Sequence, residues 1–439
     1  MSIETHTERN QDPELHSDQV ATEPDPRMAL VRLLAFVAAG VVLAYSAGAL
    51  KTLIVVLAII LMIVLHEFGH FLTAKAAGMK VTEFFVGFGP RLWSVRKGET
   101  EYGVKGLPLG GYCKIPGMTN LEEVDPADEA RTYRQKPYWR RLSVAVAGST
   151  MHFILAFFLI YAALVFVGTQ KTLPTIDGVV SLKSGPSPAE VAGFQKGDRV
   201  ESYDGRQFTS WEAFRTYISS HAGVPMKVVV RRGTGPTELT VTPIDRRSIE
   251  LSSPGAAATS SKIPVGFLGV TPGQALVKAS PLGAVAKSGA ELKNVTILTF
   301  KALGSIFSAH GISQYGHQLA GRPLSGSGSG SGEGRFTSPV GVVRLASQAA
   351  DSGLGPVLLL LISINVFVGI FNMVPLLPLD GGHVAIATYE RLRSRRGRRY
   401  HVDAAKLLPI TYAAVLIIVF IGLSSLFLDL AHPAANPFQ

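Results

Sequence analysis

Residues 61–75, LMIVLHEFGHFLTAK, close an apolar run with two histidines and a glutamate. Ionisable groups are costly in hydrocarbon and persist there where they pair, bind an ion or take part in chemistry. His66 and His70 lie four residues apart, so a helix places both imidazoles on one face, where they can share a tetrahedral zinc. Glu67 stands beside them without being a ligand. That is the place of a carboxylate that takes a proton from a water acidified by the metal. A zinc that does chemistry takes a third protein ligand and keeps one position open, so the chain must supply another donor elsewhere.

The candidate is Asp380, in residues 372–383, NMVPLLPLDGGH. Two prolines interrupt that apolar segment, freeing backbone groups and presenting Asp380 from irregular chain inside the protein. Asn372, polar within the same run, suits a hydrogen bond to a substrate backbone or to an oxyanion. Each residue also has a plainer reading. Asp380 before Gly381 and Gly382 fits a turn or helix cap, Asn372 fits a tie between two helices, and His383 reads as a loop histidine outside the ligand set.

The whole chain agrees with a membrane setting. Its 439 residues are 47% hydrophobic, with a mean hydropathy of +0.27, too apolar for an ordinary soluble protein. Five segments are apolar and long enough to enter a bilayer, at residues 28–50, 51–78, 142–168, 357–383 and 404–428. Residues 1–27 read as a disordered tail without the pattern of a removable signal peptide. The single cysteine, Cys113, excludes an intramolecular disulfide and a cysteine cluster. The net charge of +10 resides in loops beside apolar segments, which fits membrane topology and not nucleic-acid binding.

Charge placement orients the segments. Residues 79–141 carry Lys80, Arg91, Arg96, Lys97, Lys105, Lys114, Arg140 and Arg141, and residues 391–402 open on RLRSRRGRR. Both are expected on the cytoplasmic side. The N-terminus then lies inside, and the region from 168 to 355 and the C-terminus lie outside. On this threading His66 and Asp380 both fall towards the inner half of the bilayer. Residues 172–245 alternate short strand-like runs with one helical stretch and turns rich in Gly, Pro and Asp, a small α+β domain. Residues 246–356 read as an extracytoplasmic linker region, with the flexible stretch SGSGSGSGEG at 325–334.

These residues resemble the site-2 intramembrane zinc metalloprotease family, in its bacterial, actinobacterial-type members with a single PDZ domain between the catalytic segments. The resemblance rests on HEFGH, on NMVPLLPLDGG, on residues 83–118 (EFFVGFGPRLWSVRKGETEYGVKGLPLGGYCKIPGM), and on the GDRV…DG piece of residues 178–214. It implies an α-helical polytopic membrane protein with about five membrane segments, a zinc site between spans, a cytoplasmic-side membrane β element at 79–141 and an inserted extracytoplasmic PDZ-like domain. It also implies one Zn²⁺ per chain held by His66, His70 and Asp380, Glu67 as catalytic base, and Asn372 against substrate. The implied reaction is hydrolysis within the transmembrane helix of a single-span protein, such as an anti-sigma factor, after a site-1-type protease has trimmed it, at the bacterial cell membrane.

Three departures accompany the resemblance. The family's second proline falls two residues after the first, where this chain has Leu377 and then Pro378. The family's Gly-Pro and asparagine of the third segment are replaced by GSTMH at 148–152. The segment 28–50 is additional.

Two other classes of function compete. A non-catalytic PDZ-bearing scaffold or chaperone would carry a closed, structural metal, whereas only three ligands are identifiable beside Glu67. A transporter would line a path with such residues, but transporters commonly show repeated broken helices, and the chain has no internal repeat.

Overall fold

The computed structural model describes residues 26–118, 122–182, 185–248, 264–320, 336–394, 400–433 and 436–438. The tail read at 1–27 (all but its last two residues), the Gly/Ser stretch 325–334 and the heart of the basic loop 391–402 lie outside the described residues.

Helices α1 (Pro26–Ser46) and α2 (Leu50–Ala76) flank a three-residue break in which Gly48 takes a positive φ of 67°. Such a backbone suits glycine. α1 packs back against β1, the strand that follows the far end of α2, so the two helices form a hairpin. Strands β1 (Glu83–Lys97) and β2 (Thr100–Lys114) are doubled over. Val86 lies opposite both Gly111 and Val104, while Ser94 lies opposite Gly103. The rows therefore run 111–114, 83–86, 101–104 and 94–97, and the row 111–114 is an edge.

α3 (Tyr138–Ala162) continues through a π-helical turn to Val167. Then comes a sheet domain with β3 (Thr169–Val179), α4 (Pro188–Val191), β4 (Arg199–Tyr203), β5 (Arg206–Gln207), α5 (Trp211–Ser220), β6 (Met226–Arg232), β7 (Gly235–Val241), β8 (Ile244–Asp245), β9 (Gly266–Phe267) and β10 (Val270–Val277). The main sheet runs β10-β3-β4-β6-β7. On β6, Met226, Val228 and Val230 are buried and Lys227 is exposed, the two-residue period of a strand with one face on a core. Phe214 and Ile218, one turn apart on α5, close that core with Ile176, Phe194 and Val200. Ser210 caps α5 by accepting from the Ala213 amide at 3.1 Å.

The expectation of a linker over 246–356 is overturned. Within it lie β9, β10, α6 (Pro281–Ile306), α7 (Ala309–Leu319) and α8 (Pro339–Ser352). β10 pairs with β3, so the sheet domain runs to Val277 and not to 245. α6 packs on α3 and α9 (Leu354–Phe371) through Ala284, and α8 packs on α2 and α9 through Ala346 and Ala349. The segment 357–383 is broken at its prolines: α9 stops at Phe371 and α10 (Asp380–Arg393) starts anew. α11 (Leu408–Ala431) is last. Among the described residues five helices are long and apolar enough to cross a membrane, or six if the bent pair α6–α7 is one span. Much of α1 and α11 is exposed apolar surface, including Val42, Leu43, Leu416 and Phe420, as lipid-facing helices require.

Candidate metal centre

The site is built where α2, α3 and the start of α10 meet. Small residues allow the approach. A Cβ on Gly69 would sit 2.7 Å from Met151 Cγ and 2.9 Å from the Ala147 carbonyl oxygen, so the glycine of HEFGH lets the two helix backbones close together. A Cβ on Gly148 would lie 2.4 Å from both His66 Cε1 and His70 Nε2. α3 thus presses bare backbone against the two imidazoles.

The third donor arrives by a folded-back loop. After α9 the chain turns through the two prolines, and the Gly381 amide donates to the Asn372 carbonyl at 2.7 Å. A Cβ on Gly381 would meet the carbonyl oxygens of Met373 and Val374 at 2.3 Å, and one on Gly382 would meet Leu377 N at 2.6 Å. Both glycines are needed for this close return. Asp380 is therefore not on irregular chain: it is the first residue of α10, placed by the loop beneath it.

His66 Nε2 lies 3.2 Å from His70 Nε2, and Asp380 Oδ2 lies 3.5 and 3.4 Å from these two atoms. Ligands about 2.0–2.1 Å from a tetrahedral zinc stand roughly 3.3 Å from one another. The three edges fit that tetrahedron, and Asp380 Oδ2 is buried without a hydrogen-bond partner, the orphaned atom a cation would satisfy. His70 Nδ1 is 2.8 Å from the Val144 carbonyl oxygen. Donation there leaves Nε2 with its lone pair towards the group, the usual orientation of a metal-ligating histidine. Three donors and no fourth among the described residues match a site with an open position.

Glu67 is half-buried, and its Cγ would be 3.2 Å from a Cβ on Gly111. It lies between the ligand group and the edge row of the β element. Asn372 caps α9, and among the described residues its side chain makes no hydrogen bond. His383 lies on α10, not in a loop, with its ring 6.3 Å from Tyr133.

Three further residues shape the site without standing out in the motifs. Gly148 belongs to GSTMH, visible only as a departure. His152 in the same motif is buried, with its ring 5.0 Å from that of His66, and its Nδ1 is 2.8 Å from Asn365 Oδ1. Asn365 in turn donates Nδ2–H to the Leu361 carbonyl at 2.9 Å. A second asparagine in the apolar run of α9 was the available signal.

Apolar helices around a three-donor metal group define a membrane metallopeptidase. Residues 54–322 and 328–418 match the model of peptidase family M50, and the chain belongs to that family. It is similar to zinc metalloprotease Rip1 of Mycobacterium tuberculosis strain H37Rv, with 34% identity over 410 residues that cover 86% of this chain and 96% of the relative. It is also similar to Rip1 of Mycolicibacterium smegmatis (33% over 407 residues; 86% and 96%) and to metalloprotease MmpA of Caulobacter vibrioides (31% over 371 residues; 79% and 87%). The protein is a zinc metalloprotease. A solved PDZ domain of an SdrC-like protein from Listeria monocytogenes aligns with 19% of this chain and 92% of its own at 23% identity and a TM-score of 0.15.

Proposed function

We propose that this metalloprotease hydrolyses peptide bonds within transmembrane helices of pre-trimmed single-span proteins, anti-sigma factors among them, with one zinc per chain held by His66, His70 and Asp380. The observation that carries the reading is the meeting of His66 and His70, which stand with Glu67 on a helix apolar enough to cross a bilayer, with Asp380 at the start of the helix that follows a second such span. Bound there, zinc supplies a Lewis acid for the scissile carbonyl and a water that ionises near neutral pH.

The chain's own residues do the rest. Glu67 carboxylate accepts the proton of the attacking water and returns it to the departing amide nitrogen. Val144 holds the His70 ring through Nδ1, and Gly148 admits both rings against α3. A helical peptide bond is shielded by its own backbone and side chains, so the substrate unwinds and presents an extended segment. The edge row 111–114 beside Glu67 offers strand pairing to the freed backbone, and Asn372 makes a polar contact with the substrate strand. Protease and substrate meet in the bacterial cell membrane, with the β element on the cytoplasmic side and the sheet domain, PDZ-like, outside. There it filters or recruits substrates trimmed by a site-1-type protease.

The test compares two substrate helices of equal length and membrane insertion, one all leucine and one with Gly or Pro in its cytoplasmic-side half. Gly and Pro cost about 1 and 3 kcal/mol of helix propensity relative to Ala in water, so the broken helix is cut faster. Equal rates would remove unwinding as the limiting step.

A further inference from the structure

We propose that the cavity between the start of α3 and the end of α10 binds the phosphate headgroup of an anionic membrane lipid. The cavity measures about 320 Å³ and is separate from the metal group. The one carboxylate among its described lining residues is already neutralised: Glu390 Oε2 pairs with Arg141 Nη1 at 2.6 Å, both side chains being buried. Glu390 Oε1 also accepts the Val402 amide at 2.7 Å, holding the wall that carries Tyr400 and His401. Lys136 and Arg391 face the same space, and among the described residues neither has an ion-pair partner. A cavity with two unspent cations and a cancelled acid is suited to an anion.

The position selects a lipid over a soluble anion. Trp139, 73% exposed, and Tyr138 stand at the rim, immediately before the apolar run of α3. Aromatic residues of this kind sit at headgroup level, and basic pockets between helix ends on the cytoplasmic side take anionic headgroups. Acyl chains would then run along α3. On α3, Arg141 lies three residues before Val144, whose carbonyl meets His70 Nδ1, and α10 carries Asp380 at its start and Arg391 near its end. A bound headgroup would bridge α10, which carries Asp380, and α3, whose Val144 carbonyl positions the His70 ring. The inference rests on the membrane placement proposed above and not on which peptide is cut.

The experiment measures binding to the purified full-length, zinc-loaded protein in detergent. Dihexanoyl phosphatidylglycerol, dihexanoyl phosphatidylcholine and inorganic phosphate are each titrated and adducts are read by native mass spectrometry. Saturable binding of one phosphatidylglycerol, at least tenfold tighter than phosphatidylcholine or inorganic phosphate, is expected. The Lys136→Gln/Arg391→Gln protein should lose that preference at least tenfold, and Lys136→Arg/Arg391→Lys should keep it. Neutralising Arg96 and Lys97, basic residues outside the cavity, should leave it unchanged. Equal binding of the two lipids by the unaltered protein would overturn the proposal, as would an equal loss from the Arg96/Lys97 pair, which would mean diffuse charge. Inorganic phosphate bound as tightly as the lipid would overturn the choice of a lipid.

Discussion

Gly148 and His70 are so close that a single methyl group on Gly148 would lie 2.4 Å from His70 Nε2. The same methyl would meet His66 Cε1 at 2.4 Å and Nδ1 at 2.6 Å. Gly148→Ala must therefore displace at least one imidazole or push α3 away from α2. Disturbing the groups that orient metal ligands typically costs about 10-fold to 100-fold in metal affinity. We expect at least that loss, with a corresponding fall in proteolysis, in a protein whose helical content is unchanged. Zinc titration against a competing chelator checks it. Zinc affinity equal to that of the unaltered protein would show that the rings do not need this space.

How much of this is legible in the sequence depends on distance along the chain. The pairing of His66 with His70 is local, set by one helical turn, and can be read directly. Asp380 can be proposed because prolines and glycines mark a break in an apolar run, but the backbone return that seats it at the start of α10 is a tertiary fact. The roles of Gly148 and of the His152–Asn365 pair cannot be assigned for the same reason: each acquires meaning only when α3 lies against α2 or α9. α6 escapes for another reason. Lys287, Glu291, Lys293 and Lys301 dilute its apolar residues, so a helix with only one face on α3 and α9 reads as a connecting segment. Asn372 attracts attention because it adjoins the prolines, while Asn365, two turns earlier, has the buried partner.

The sheet domain enters and leaves at one point. Thr169 pairs with Val277, and a Cβ on Gly168 would lie 2.9 Å from the Val277 carbonyl carbon. Excising residues 169–277 and joining Gly168 to Lys278 through a short glycine bridge should leave the helical part intact. We expect retained zinc and retained cleavage of a short membrane helix, with altered discrimination between intact and pre-trimmed substrates. Loss of all cleavage with zinc still bound would assign the domain a part in forming the site.

At the tip of the β element, Glu99 joins Arg131 and Lys75, with Nη1–Oε2 and Nζ–Oε1 distances of 2.6 and 2.5 Å. Hydrogen bonds from Arg131 first, and then Lys75, hold its carboxyl down to about 2. Because the folded-state value is depressed, the pairing stabilises the fold above about pH 4.3, the ordinary glutamate value, and is lost as pH falls from there towards 2. Thermal unfolding in detergent at pH 5.5 and pH 3 should show Glu99→Gln less stable than the unaltered protein at the higher pH, with the gap narrowing at the lower. A gap independent of pH would mean that the charge of Glu99 contributes nothing.

The most direct measurement takes the unaltered protein and Glu67→Gln side by side and determines zinc content and cleavage of one membrane-helix substrate in each. Removing a general base costs about 10²-fold to 10⁴-fold in rate, while the three donors His66, His70 and Asp380 are untouched by the change. We expect one zinc per chain in both proteins and cleavage reduced by at least 10²-fold in the variant. A folded, zinc-loaded Glu67→Gln protein that cuts the helix at the unaltered rate would contradict it.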